Sequence, residues 1–395
     1  MQRFVYLDHA ATTPLHPQAL EAMLPYLTGE FGNPSATYAL ANRARDAVQR
    51  SRRTVAGLIG CKPNEVVFTS GGTESINTAI KSVAFQQKKA RAGNHIVTST
   101  VEHHAVLHAC QYLERFGFEV TYVPVDRHGR VDPADVAGAI NGRTVLVSIM
   151  TANNEVGTLQ PVFDVASAVA ERAASMKKRI PFHTDAVQAP NSLRIDFARR
   201  GIDMMSLAAH KFRGPKGMGV LYVRRGVPFL AQQNGGGQER QRRAGTENVA
   251  GIVATAEALR IAQESVETSS ARVRGLATRL RDGILSSIPD TELNGHPDQR
   301  LANNLSIGFD GADARDLVAG LDAAGVACSA GAACGANSIE PSHVLVAMGL
   351  PLERAVSTLR FSLGQETPAE DIDYVLEQLP AIVEQSRARQ LAVAH

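Results

Sequence analysis

From about Glu65 to Arg225 the chain alternates short β-forming runs with helical stretches, and this alternation constrains the fold more than any other feature. The strand-like runs are Glu65–Thr69, His95–Ser99, Glu119–Val123, Thr144–Met150, Pro181–Thr184, Asp203–Leu207 and Gly219–Val223. Several are nearly continuous apolar runs, as expected of strands covered by helices on both faces. Between Glu102 and Phe116, Val106, Ala109, Cys110 and Leu113 recur on a helical stripe rather than in alternation. Repeated β-then-α order predicts an α/β protein on a mainly parallel sheet.

The pattern changes near Gly251. A long helical run extends to about Ser287, followed by strand-like Asn304–Gly308 and a helix near Ala314–Ala324. The last helical pattern puts Ile372, Val375, Leu376 and Leu379 on one face, and Pro380 is expected to interrupt it. The 395 residues have room for a large domain over 16–260 and a smaller α+β domain over 261–395, with residues 1–15 packing on the smaller one.

A net charge of +2 gives no general reason to expect nucleic acid or an acidic membrane as partner, and Arg240, Arg242 and Arg243 read as a solvated loop. The opening MQRFVYLDHAATT lacks the apolar core of a signal peptide, and no apolar run approaches the ~18–20 residues needed to span a bilayer. Cys61, Cys110, Cys328 and Cys334 are too sparse for a disulfide scaffold, so the cytoplasm is the expected compartment.

Three segments can do chemistry. Thr69-Ser70-Gly71-Gly72-Thr73-Glu74-Ser75 follows a strand and precedes a helix; its glycines and helix terminus suit an anion, although alone it reads better as a helix cap with glycines for the turn. It matches neither nucleotide fingerprint, so a nucleotide is not the first candidate. His183-Thr184-Asp185-Ala186-Val187-Gln188 lies at a strand end, where α/β proteins gather ligands. Asp185 there can hold a protonated ring nitrogen or merely cap a helix. Ala209-His210-Lys211-Phe212-Arg213-Gly214-Pro215-Lys216-Gly217 also follows a strand, and a lysine so placed can form a Schiff base.

HTDAVQ followed by HKFRGPKG resembles the cofactor site of class V aminotransferase-like, fold-type I enzymes that use pyridoxal phosphate (PLP). YLDHAATTP, FGNPSA, FTSGGTES, ANNEVG, GGGQERQRRAGTENV and SAGAACGANSIEPSHVLVAMG are similar, in unchanged order, to cysteine desulfurases of the NifS/IscS type. The resemblance runs from about Tyr6 to Gly364. It implies a fold-type I PLP-transferase with a PLP-binding large domain and a small domain carrying an active cysteine. Such an enzyme converts L-cysteine to L-alanine and transfers the sulfur to its own cysteine.

Carried over residue by residue, the resemblance implies that Lys211 binds PLP covalently, Asp185 pairs with the pyridinium nitrogen and His103 stacks on the ring. Asn154 and Gln188 lie near the ring's phenolic oxygen and the substrate. Gly72, Thr73 and His210 contact the phosphate, and Thr246 reaches it from the second subunit of a homodimer. Arg360 holds the substrate carboxylate, a task for which a planar, bidentate guanidinium is suited. Cys334, as thiolate, attacks the substrate sulfur and leaves alanine and an enzyme persulfide for an acceptor protein, an iron–sulfur scaffold among the candidates. Cys328, six residues earlier, is expected to be packing material.

Two departures stand out. Similar enzymes commonly read S-x-S-[AG]-H-K before the lysine, whereas here Ala208 replaces the phosphate-binding serine. The lost hydrogen bond would cost ~1.5–3 kcal/mol. The cysteine segment reads AGAAC instead of SGSAC, and the sequence stops at His395, short of the tail that scaffold-binding relatives often carry. Iron–sulfur clusters, thiolated tRNA, a thiol cofactor and DNA phosphorothioate all remain open as destinations. A selenocysteine lyase, a C–S β-lyase and a non-catalytic sulfur-relay subunit are the rival readings. No metal is expected, since His104 and His108 lack a third ligand at a recognisable spacing.

Overall fold

In the computed structural model, which describes residues 3–331 and 341–393, the chain opens on a two-residue strand, β1 (Val5–Tyr6). All seven strand-like runs of the alternating region then form strands: β2 (Val66–Thr69), β3 (His95–Ser99), β4 (Glu119–Val123), β5 (Thr144–Ser148), β6 (Phe182–Asp185), β7 (Met204–Ala208) and β8 (Gly219–Val223). They make one sheet in the order β2-β8-β7-β6-β5-β3-β4. Neighbours are parallel except where β8 runs antiparallel to both β7 and β2. The β7–β8 link is too short for a crossover helix, which enforces that reversal. Lys211 lies in this link.

Helices cover both faces. Val66 and Phe68 of β2 join one apolar cluster with residues of helices Ala39–Ile59, Val162–Ser175 and Val249–Glu264. Val67 joins the other, with helices Gly72–Lys89 and His104–Glu114. Each fully buried Val, Ile or Leu contributes roughly 1.5–3 kcal/mol, so the alternation itself pins the strand register.

A second, antiparallel sheet gathers β9 (Thr291–Asn294), β10 (Asn304–Phe309), β12 (Ser329–Ala330) and β13 (Thr358–Ser362), in the order β12-β13-β10-β9. Beside it, β11 (Val326–Ala327) pairs in parallel with β1. Val5 and Leu7 pack in one cluster with Ile307, Leu317, Phe361 and Ile372.

Two local expectations need correction. The long helical run is two helices, Val249–Glu264 and Val266–Ser287, which meet at Ser265, where both the N–H and the hydroxyl bond back to the Ile261 carbonyl, at 3.2 and 2.9 Å. The last helix is not interrupted at Pro380 but runs from Ala369 to Val393. Contacts beyond the proline hold it: Val383 is buried in the second cluster and the Ser386 hydroxyl accepts from the Asp313 N–H at 3.1 Å. These outweigh the backbone bond that Pro380 removes.

Single left-handed residues such as Arg213 (φ 63°) occur near the large sheet, but in one place they form a run. Glu239, Arg240 and Gln241 have φ of 46°, 57° and 63°, three consecutive left-handed residues without a glycine. Each such residue costs about 1–2 kcal/mol. Among the described residues, no helix is long and apolar enough to cross a membrane.

Candidate active site

Strands β2, β3, β5, β6 and β7 run in one direction, and their carboxyl ends deliver Gly72, His103, Asn154, Asp185 and Lys211 to one edge of the sheet. There they line a cleft of about 330 Å3 together with Thr73, Gln188, His210 and Arg360.

The lysine turn is built from the backbone. Ala209 N–H donates to Met218 O at 3.0 Å and Gly214 N–H to Ala209 O at 2.8 Å. A Cβ on Gly214 would lie 2.8 Å from that of Ala209, so the approach requires glycine. The opening segment closes over the turn. Thr13 Oγ1 donates to His210 O at 2.8 Å, and His210 Nδ1 lies 3.1 Å from Thr12 Oγ1. Lys211 Nζ donates to the carbonyls of Ala10 and Ala11, each at 2.6 Å. Burial lowers the Lys211 ammonium to about 8, with the Arg360 charge adding to the effect and Asp8 and Asp185 opposing it.

Asp185 is buried, with Oδ1 accepting from the Val187 N–H at 2.9 Å. Burial raises its carboxyl to about 6, against the Val187 hydrogen bond and the Lys211 charge. A cation placed at this carboxylate would restore its ordinary ionisation. Asp185 is further held in a rigid strand by its neighbour His183, whose ring spans Ser148 Oγ at 2.8 Å and Ser206 Oγ at 2.9 Å. Burial lowers His183 to about 3, so this histidine is a neutral strut.

His103 faces the cleft as the cap of helix His104–Glu114, Nδ1 accepting from the Ala105 N–H at 3.1 Å. That bond leaves the proton of the neutral ring on Nε2. Removal from water lowers the imidazole to about 4, and Lys211, His343 and His108 add repulsion. Gln188 Nε2 donates to Ala10 O at 3.1 Å. Gly72 opens helix Gly72–Lys89, and a Cβ there would lie 3.0 Å from Val187 and 3.3 Å from Ala208.

Arg360 sits on β13, only 4% exposed. Nη1 donates to Asn154 O at 3.2 Å, while Nη2 donates to Asp8 Oδ1 at 2.9 Å and Ser329 Oγ at 3.2 Å. Among the described residues its Nε is buried without a partner. A buried guanidinium with an unused donor in a cleft is prepared for an anionic ligand.

Two expected site residues stand apart. Thr246 is exposed and does not line this cleft. Cys334 lies outside the described residues, although both flanks of its segment are docked on the site. On one side Ser329 pairs with Arg360 across β12 and β13. On the other, His343 Nε2 donates to the Glu102 carbonyl at 2.9 Å, and the Ser342 hydroxyl donates to Glu155. His104 and His108 stack at 5.0 Å, and among the described residues no group of three His, Cys, Asp or Glu could hold a metal ion.

Sequence reasoning missed Asp8 and Glu102. Asp8 lies in the YLDHAATT segment, but nothing in its spacing announced a pairing with Arg360. Glu102 is wholly buried beside His103, with Oε1 accepting from the Ser99 hydroxyl at 2.7 Å and the Met150 N–H at 2.9 Å. Burial raises its carboxyl to about 8, so it is a neutral acid at pH 7.

The class-V aminotransferase profile matches residues 5–375. The chain belongs to the class-V aminotransferase family. It is 48% identical over 383 residues to the cysteine desulfurase IscS of Methanosarcina thermophila, covering 97% of this chain and 93% of that protein. With the IscS of Clostridium botulinum it shares 46% over 389 residues, 98% of this chain and 96% of the relative. A solved NifS-like protein superposes with a TM-score of 0.90 at 36% identity, over 98% of this chain and all of that one. A structure of SspA in complex with cysteine gives 0.79 at 35%, over 91% and 98%.

The cofactor of this class-V enzyme is pyridoxal phosphate, and the cleft fits it. A buried carboxylate awaits a cation, a depressed lysine is available for an aldehyde, and a glycine-opened helix terminus suits a phosphate. Only the neutral amine reacts, so the shifted Lys211 has a measurable signature. Uptake of PLP by the apoprotein, followed by absorbance, should accelerate as pH rises to about 8 and then level off. An ordinary lysine would keep accelerating to ~10.4.

Proposed function

We propose that this protein is a cysteine desulfurase that converts L-cysteine to L-alanine and takes the sulfur onto Cys334. The observation that carries the reading is the convergence of Lys211, Asp185, His103 and Arg360, whose Nε has no partner among the described residues, on one cleft flanked by the two docked ends of the Cys334 segment. The cysteine held by SspA supports the same substrate class.

When bound, PLP serves as an electron sink for the substrate's amino-acid carbons. The chain's own residues would divide the remaining work. Lys211 would anchor the aldehyde and, once released, move a proton at Nζ. Asp185 would stay ionised against the ring nitrogen. Arg360 would orient the substrate through its carboxylate, using Nε and the face turned from Asp8. His103, neutral with its proton on Nε2, would cover the ring and exclude water. The thiolate of Cys334 would form a new S–S bond to the substrate sulfur as the C–S bond breaks. The carbon gains a proton, so cysteine and one enzyme thiol become alanine and one enzyme persulfide.

Cys328 is a poor substitute nucleophile, since burial pushes its thiol up to about 12, with Asp8 adding to the effect. The proposed setting is the cytoplasm, where thiols stay reduced. The persulfide's proposed recipient is an acceptor protein, an iron–sulfur scaffold among the candidates.

The working form is proposed to be a homodimer, because Thr246 is exposed and absent from its own cleft, as a residue that completes a neighbour's phosphate site would be. The purified protein should be yellow, and borohydride should bleach the band while fixing PLP to the Lys211 peptide. A colourless protein that stays colourless with added PLP would defeat the proposal. Light scattering should give twice the chain mass at working concentration. An active monomer would remove the dimer alone.

A further inference from the structure

The segment that carries Thr246 is held in its strained shape from inside. Arg52, on helix Ala39–Ile59, and Glu239 form a bidentate pair with both N–O distances 2.7 Å and side chains only 2% and 3% exposed. Arg52 Nη1 also donates to Val66 O at 2.8 Å, and its guanidinium lies 4.9 Å from the centre of the Phe68 ring. Glu239 in turn accepts from the Phe68 N–H at 3.1 Å. The carboxylate at the first left-handed residue is therefore locked to β2, the strand that leads into Gly72 and Thr73.

Two further contacts close the segment. Gly245 N–H donates to Gln238 Oε1 at 3.1 Å, and Arg243 Nε donates to Glu74 at 3.0 Å in the first turn after Gly72. Arg240, Gln241, Gly245 and Thr246 are left exposed. Buried ion pairs are often no more stabilising than an apolar filling of the same size, and in some proteins they select one arrangement among several. Three left-handed residues in a row persist only where their surroundings over-determine them.

We infer that the Arg52–Glu239 pair is a positioning device that holds the Gln238–Thr246 turn in the shape a second copy of this chain needs to complete its phosphate site. The inference rests on the dimer reading above. Neither Arg52 nor Glu239 lines the cleft, so the pair acts through the turn.

The test replaces both partners, Arg52→Met with Glu239→Met, so that no buried charge is left alone. The expected double variant stays folded but melts below the parent, because the Val66 carbonyl and the Phe68 N–H lose their partners, and its folded apoprotein binds PLP roughly tenfold or more weakly, the scale of one lost charge-assisted hydrogen bond. Adding Arg240→Gly and Gln241→Gly, which removes the left-handed penalty, is expected to restore part of that affinity. Arg52→Lys, which keeps the charge but not the bidentate geometry, is expected to weaken PLP binding by an intermediate factor, and it reads the effect if the double variant does not fold. PLP affinity equal to the parent's in the folded double variant would overturn the inference. So would a loss that only tracks the unfolded fraction and ignores the glycines. A parent that is monomeric yet binds PLP fully would sink the dimer reading first, and light scattering separates the two failures.

Discussion

Replacing Cys334 by serine should leave a yellow protein that still changes its spectrum with L-cysteine but forms no persulfide and releases at least about a thousandfold less alanine. Serine nearly matches cysteine in size, so the loss isolates nucleophilicity. The proposed cofactor contacts come from the ends of β2, β3, β5, β6 and β7, none of which includes residue 334, so binding of PLP should persist. Cys328→Ser is the control. That thiol packs beside the second cluster, and burial holds it up at about 12, so it is not a thiolate at neutral pH. Its serine variant should keep most of the activity. Alanine and persulfide assays beside the absorption spectrum of each variant decide the matter. If Cys334→Ser turns over like the parent and Cys328→Ser is dead, the nucleophile has been assigned to the wrong cysteine.

Lys211→Ala should fail earlier, at attachment of the cofactor. Alanine has no amine for the aldehyde and no group to carry a proton at that place, so alanine release should fall by about a thousandfold or more. Borohydride should then fix no PLP to the chain. The protein should nevertheless fold, because among the described residues Lys211 Nζ bonds only to the Ala10 and Ala11 carbonyls, at the wall of an open cleft where water can replace it. The expected stability change is about 1 kcal/mol or less. Thermal melting and the borohydride product together distinguish loss of chemistry from loss of fold. A Lys211→Ala protein that retains a reducible covalent cofactor would show that another lysine holds it.

The sequence made the large sheet legible because its strands are apolar runs bounded by turn residues, and β2 to β8 fall within a residue or two of the expected runs. Lys211 and Asp185 were legible because each follows such a run, where a parallel sheet exposes its ligands. Arg360 and His103 came from resemblance alone. Their neighbourhoods depend on contacts that no local pattern encodes: Asp8 and Arg360 are 352 positions apart, and Arg52 and Glu239 are 187 apart. Pro380 misled for a related reason. The local rule ends the helix, but packing of Val383 and Ser386 outweighs it. At Ser265 the structure divides a run that composition presents as continuous, a boundary marked by no glycine or proline.

The most direct test of the account is a single turnover. The enzyme is mixed with less than one equivalent of L-cysteine, without reductant, and then digested for mass spectrometry while free alanine is counted. The account predicts one alanine for each substrate consumed and one added sulfur atom, located on Cys334 by fragmentation of the peptide that also carries Cys328. Pyruvate and free sulfide in place of alanine, or the sulfur on the Cys328 side chain, would contradict it.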